Sequence, residues 1–466
     1  MSLVVNSFYK IPKRGKRGQI LILKDGFRSG KFIYKGVGRD DGGTIKNGWH
    51  RIYKGAVDIR WFGAIGNNRS DNTDIIQYIF NKFDNILIPK GEYLVKYLEI
   101  NSYLNISGNG TLKALMPNKT NTPLLEILNP AKISGITIDG AKKIAKGIEI
   151  DSRGVEIDNI LVKGIYSYNN IVAVGLSTYQ GDVIIKNSAF EDIFSQGNNY
   201  ISDSFGAARA IAVGAYDKEN ILKPTVIKNC KFNNIFGEEG DCIVSQAKDI
   251  NIIKRVQIKN CQFSNFSRRA IKLMASSGSI NNCKIINNKR YKNLFSPISA
   301  FGNDYKIENN FIDTPFATGI NLGIDSKPKV QNYIIKNNTI KRYKSGDKIE
   351  SFGIQLVNIV NAIIENNKIY RNAKEDAAIA LWACKNVKVT NNKIYGGVTS
   401  AIVVGNESMD FDENILIANN SLQNSKSDYF IVISHTKNAK LSNNDITNSK
   451  TKLYYIANNC QNISTR

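Results

Sequence analysis

The chain has 466 residues, with 63 Lys or Arg against 40 Asp or Glu, a formal charge of +23, and only two His, His50 and His435. So few His argue against His-based triads and zinc sites, and six Cys without a C-x-x-C pair argue against a disulfide scaffold or a thiolate metal cluster. The basic excess favours an anionic partner, such as an acidic polysaccharide, nucleic acid or a membrane surface, although no block of five or six like charges forms a basic tail.

The first stretch, MSLVVNSFYKIPKRGKRG, has no basic segment leading into an apolar core and cleavage site, and no run of 18 apolar residues follows. Neither a Sec signal nor membrane insertion is expected. Next, GQILILKDG, GKFIYKGVGRDDGG and GWHRIYKG predict an antiparallel meander with Gly turns, so residues 1–57 form a β-rich segment for attachment or capping. Trp49 and Trp61 flank it, and core packing accounts for both. SDNTDIIQYIFNKF predicts a helix near residues 71–83, with Asp71 or Asn72 as N-cap and Ile75, Ile76, Ile79, Phe80 and Phe83 on one apolar face. NILIPKGEYLV then reads as a strand broken by a Pro-Lys-Gly turn.

Further along, an Asn followed by Asn or Cys and alternating apolar residues recurs: NCKF at Asn229, NCQF at Asn260, NCKI at Asn282, NNFI at Asn309 and NNTI at Asn337. It continues as NNKI at Asn366 and Asn391, NNSL at Asn419 and NNDI at Asn443. The repeat averages about 27 residues, with steps from 22 to 31, so core strands are fixed while loops vary. Strands such as AIALW and SAIVV alternate with period 2, and no helical stripe lies between them. Asn tolerates the left-handed conformation, and stacked Asn side chains can hydrogen-bond along a coil. Cys230, Cys261 and Cys283 each follow a leading Asn and are expected to stack as small buried side chains. The pattern predicts an all-β chain: a right-handed parallel β-helix over residues 58–460, capped by the helix, with 461–466 as a tail.

The segment VDIRWFGAIGNNRSDNTDIIQYIF with ILIPKGEYLV, from Val57 to Val95, resembles the opening signature of the pectate-lyase superfamily. That signature is shared by the pectate-lyase-3 or endorhamnosidase-like domains of phage tailspikes and bacterial polysaccharide-degrading enzymes. The resemblance implies a right-handed β-helix with an N-terminal capping helix, carbohydrate activity and, as in tailspikes, a homotrimer. Where the family carries Asp-Gly after the Gly-Ala segment, this chain has Asn67 and Asn68. The Asp-Asp pair and Gly-His-Gly motif of polygalacturonases are not found, so that mechanism is not inherited.

Aligning the rungs on one inward Ile gives Ile211, Ile243, Ile271, Ile298, Ile320, Ile354, Ile379, Ile402 and Ile431. Strand alternation then puts Ala212, Val244, Lys272, Ser299, Asn321, Gln355, Ala380, Val403 and Val432 on the solvent face. A second outward column carries Gln246, Met274, Phe301 and Trp382, a platform for sugar faces. Two residues before the Ile, the column runs Arg209, Asp241, Arg269, Ser296 and Thr318, with Glu238, Glu239 and Arg268 at the same level.

Two chemistries fit this charged knot, and an ion-pair ladder with no catalytic role is their rival. For elimination from a uronic acid, Lys272 is the base, its pKa lowered by Arg268 and Arg269, and Arg269 or Arg209 holds the carboxylate. For hydrolysis, the carboxylates are Glu239 with Asp241, or Asp192 and Asp203. The catalytic candidates are therefore Lys272, Arg269, Asp241 and Glu239, and the substrate-binding ones Arg209, Arg268, Asn321, Gln355 and Trp382. No cofactor is required; Glu238, Glu239 and Asp241 are the candidate ligands for Ca²⁺, as acidic clusters are in some relatives. The expected function is cleavage of an acidic bacterial surface polysaccharide by a homotrimeric virion-tail or extracellular protein with no nucleic-acid partner. The alternative is a non-catalytic structural or adhesive solenoid.

Overall fold

The computed structural model describes all residues except 1, 118–120, 169–171, 197–205, 215–219, 290, 292–293, 315–316, 325–328, 342–350, 372–376 and 466. Short parallel strands wind into a solenoid whose turns each contribute to three long sheets. Face 1 has 16 strands from Val57–Asp58 to Gln461–Thr465, face 2 has 15 from Asn67–Asp71 to Asp445–Thr447, and face 3 has 14 from Leu98–Ile100 to Lys452–Ile456. Residues Gln461–Thr465, expected as a tail, pair in parallel with the preceding turn and form the last strand of face 1. Their alternation of Ile463 between polar residues is enough to continue the sheet.

The inward Ile column holds at every rung, because Ile211 pairs with Ile243, and the series continues in register to Ile431. All nine are fully buried. One register slip on any rung would carry its Ile out of the core, so this column fixes the pairing of face 3.

The nine leading Asn sit at the bend from face 1 to face 2, all with φ between 52° and 59°. Asn pays less than other non-Gly residues for that conformation, and its amide links successive rungs, as from Asn260 to Asn229 and from Asn282 to Asn260. The residue after it is buried. Asn310, Asn338, Asn367, Asn392, Asn420 and Asn444 form a ladder in which each Oδ1 accepts the previous rung's backbone N–H and, from Asn338 onward, its side-chain amide N–H as well, while each Nδ2 donates to a face 1 carbonyl. Cys230, Cys261 and Cys283 occupy the same position higher up and are buried. A second ladder, from Asn332 through Asn361, Asn386, Asn414 and Asn438 to Asn462, lies at the start of face 1, outside the Asn-Asn repeat motif.

The cap helix spans Thr73–Phe80, shorter than 71–83 because Asp71 ends a strand of face 2. Ile76, Ile79 and Phe80 are buried on the first turns, with Ile75 and Phe83 packed against them. Asp71 accepts the Thr73 N–H, whereas Asn72 is buried and bonds Ile65 on the preceding loop. Asn68 takes φ 57°. The N-terminal segment forms a five-stranded sheet, antiparallel except for Leu3–Val5 beside Ile20–Leu23. Its own core holds Phe8, Phe32 and Trp49; Trp61 lies half-buried over Arg51.

Candidate functional site

Strands Glu239–Ser245 and Arg269–Leu273 of face 3 carry the charged knot. Register puts Arg209 beside Asp241 and Asp241 beside Arg269, as the rung alignment requires. Arg268 lies 3.0 Å from Glu239, and Lys272 Nζ lies 3.5 Å from Glu239 and 4.0 Å from Asp241. Arg269 reaches Asp241 at 3.4 Å, with their side chains only 5% and 2% exposed. Its guanidinium rests over Phe295 at 4.6 Å, and its buried Nε has no hydrogen-bond partner among the described residues.

Burial raises the Glu239 carboxyl, but the fields of Lys272, Arg268, Arg269 and Arg209 outweigh it and hold the group below its usual range. Lys272 is pulled down chiefly by burial; Asp241 and Glu239 oppose the shift, and Arg269 and Arg209 reinforce it. Burial, more than the charge of neighbouring Arg residues, is thus the leading cause of the Lys272 shift.

From Arg268 and Arg269 an open groove of about 740 Å³ runs across Ile320–Gly323, Phe352–Val357 and Ala377–Trp382. Asn321, Gln355 and Trp382 line it with Phe301 and Asn358, as do Asn406, Met409 and Asp410 from the connection after Ile402–Val404. Trp382 stands edge-on to Phe352 at 5.4 Å, which fixes its ring. The candidates therefore divide. Arg268, Arg269, Asn321, Gln355 and Trp382 share the groove, whereas Arg209, Glu239, Asp241 and Lys272 form the knot behind its basic end.

Several expectations change. The column one residue beyond the Ile is not uniformly open to solvent: Val244, Ser299 and Ala380 are buried where neighbouring side chains fold over the strands. Gln246 is buried too, and neither it nor Met274 lines the groove. Asp192 accepts an amide N–H from Asn234 in an exposed ladder, away from the groove, and Asp203 lies outside the described residues. Among the described residues no three His, Cys, Asp or Glu side chains are placed to hold a metal ion. Glu239 and Asp241 face cations, which compete directly with Ca²⁺, so the knot with Glu238 does not fit that ion. Phe295, Asn406, Met409 and Asp410 went unread because they belong to connections outside the repeat.

Trp382 is held from behind. The fully buried Asp412 accepts the N–H groups of Ala383 and Cys384, the two residues after Trp382. Burial pushes its carboxyl up to about 8, against the pull of those N–H donors and of Lys329. An unfolded Asp ionises near pH ~4. From there to about pH 8 the folded state holds more proton than the unfolded one, so Asp412 makes stability fall as pH rises. Asp412→Asn is expected to flatten the fall of the thermal midpoint between these limits, and an unchanged slope refutes the assignment.

A family model described as "Right handed beta helix region" matches residues 296–466, and the fold is accordingly a right-handed parallel β-helix. No curated protein sequence matches the chain. Among solved structures, the Streptococcus pneumoniae surface protein and adhesin PfbA is 16% identical, with 88% of this chain and 100% of that one covered at a TM-score of 0.50. A PL6 alginate lyase in complex with trisaccharide is 15% identical, with 86% of each chain covered at a TM-score of 0.51. At such identities the likeness is one of fold. Among the described residues no helix is long and apolar enough to cross a membrane.

Proposed function

We propose that the groove on face 3 binds an acidic polysaccharide and that the knot at its basic end cleaves it by elimination. The observation that carries this reading is the continuity of the groove with Arg268 and Arg269, the latter with a buried Nε that has no partner among the described residues, beside Lys272 and its two carboxylates. The two Arg neutralise a uronate carboxylate and thereby acidify the proton next to it. Neutral Lys272 takes that proton, its electron pair becomes the ring double bond, and the glycosidic oxygen leaves, protonated from solvent. Hydrolysis fits less well, since it needs a carboxyl held protonated and Glu239 is shifted the other way.

Digestion followed by ultraviolet absorbance and by reducing ends tests the reading. Elimination gives an absorbing unsaturated sugar; reducing ends without absorbance indicate hydrolysis. The second reading, adhesion without cleavage, draws on the ion pairs that occupy Lys272 and predicts binding with neither signal. Arg268→Ala is expected to weaken polysaccharide binding by about tenfold or more by calorimetry, the worth of one charge-assisted hydrogen bond. The proposal extends to the setting implied by the tailspike and pectate-lyase-3 resemblance, a homotrimer on a virion tail or outside the cell, and a monomeric mass by sedimentation overturns the trimer.

A further inference from the structure

The charges in the groove are unevenly placed, and that asymmetry bears on which acidic polymer it accepts. Among the described residues that line it, only Arg268, Arg269 and Asp410 are charged. The two Arg lie at one end; Asp410, on the connection after Ile402–Val404, sits 3.4 Å from Lys329, which follows the Ile320–Gly323 strand, so this acid stands beside the middle of the groove. Between the Arg pair and Trp382 the other described wall residues are neutral: the amides of Asn321, Gln355 and Asn358 and the rings of Phe301 and Trp382.

Register gives the length. From the Arg269 strand the rungs pass through Ile298–Ala300, Ile320–Gly323 and Phe352–Val357 to Ala377–Trp382. Four steps at the parallel-strand spacing make about 19 Å, with each step close to the rise of one pyranose, so about four sugars separate the Arg pair from Trp382. A homopolymer of uronic acids would set carboxylates along the neutral walls and against Asp410, where each loses water and gains no cation.

We infer that the groove selects a heteropolysaccharide with one anionic sugar about every four residues, the anion on Arg268 and Arg269 and a neutral sugar with an apolar face on Trp382. This deepens the proposed function and rests on it. The Arg pair supplies electrostatic attraction, and the amides and Trp382 supply the discrimination.

Calorimetry on the full chain tests it with two probe sets: the homopolyuronates alginate and polygalacturonate, and acidic capsular heteropolysaccharides with one uronate in a repeat of about four sugars. At least one heteropolysaccharide is expected to bind tenfold or more tighter than either homopolymer. Asp410→Lys, at a side chain 75% exposed and therefore harmless to the fold, is expected to narrow that ratio by strengthening homopolymer binding. Homopolymers that bind the native chain equally well or better overturn the inference while the proposed function stands, and so does a ratio that Asp410→Lys leaves unchanged. If no acidic polysaccharide in either set binds, the proposed function falls and takes the inference with it.

Discussion

Lys272→Ala is expected to lower the rate of polysaccharide cleavage by about 10²–10⁴-fold, the usual contribution of a positioned general base, while binding changes by less than tenfold. Binding survives because Arg268 and Arg269, not Lys272, line the groove. The fold survives as well, since Glu239 keeps Arg268 at 3.0 Å and Asp241 keeps Arg269 at 3.4 Å once the amine is gone. The native rate should also rise with pH as Lys272 loses its proton, at a lower pH than an ordinary lysine would because burial pulls its pKa down. The ion-pair ladder makes the opposite forecast: Lys272→Ala would shift the thermal midpoint and leave cleavage within tenfold. Measuring both quantities on the same variant separates the two, and a retained rate sinks the catalytic role.

What the sequence disclosed about this site follows from what a solenoid repeats. Because strand spacing and side-chain alternation are periodic, aligning one Ile per rung was sufficient to set Arg209, Asp241 and Arg269 side by side and to find Asn321, Gln355 and Trp382 on one surface. The leading Asn could be read for the same reason, as all nine need the same left-handed bend. Whatever depends on the connections was hidden. Asn406, Met409 and Asp410 line the groove from the connection after Ile402–Val404, and Phe295 reaches Arg269 from another. Burial of Ser299 and Ala380 on the outer face likewise depends on what folds over them, which alternation does not encode. Lys272 shows the limit of charge counting: its neighbours could be named from the alignment, but the leading cause of its shift is burial.

The two Asn of the NNKI motif at Asn366 should respond oppositely to substitution. Asn366 is there for its backbone, with φ 56°, and Asn366→Gly is expected to change stability by less than about 1 kcal/mol, since Gly adopts that conformation freely. Asn367 is there for its amide. Its Oδ1 accepts from the backbone and the side chain of Asn338, and its Nδ2 donates to Ile335 and to Asn392. Asn367→Ala strands a buried N–H on one rung and a buried carbonyl on another, at a combined cost of about 4 kcal/mol. In a coil held together by nearest-neighbour contacts the damage should stay local, so a single melting temperature for the whole chain is a poor gauge of it. Amide hydrogen exchange is the suitable measurement. Exchange should accelerate at Asn338 and Asn392 and remain at its native rate at Ile148, many rungs away. Equal exchange in the Asn366→Gly and Asn367→Ala proteins would show that the buried ladder contributes no more than the bend beside it.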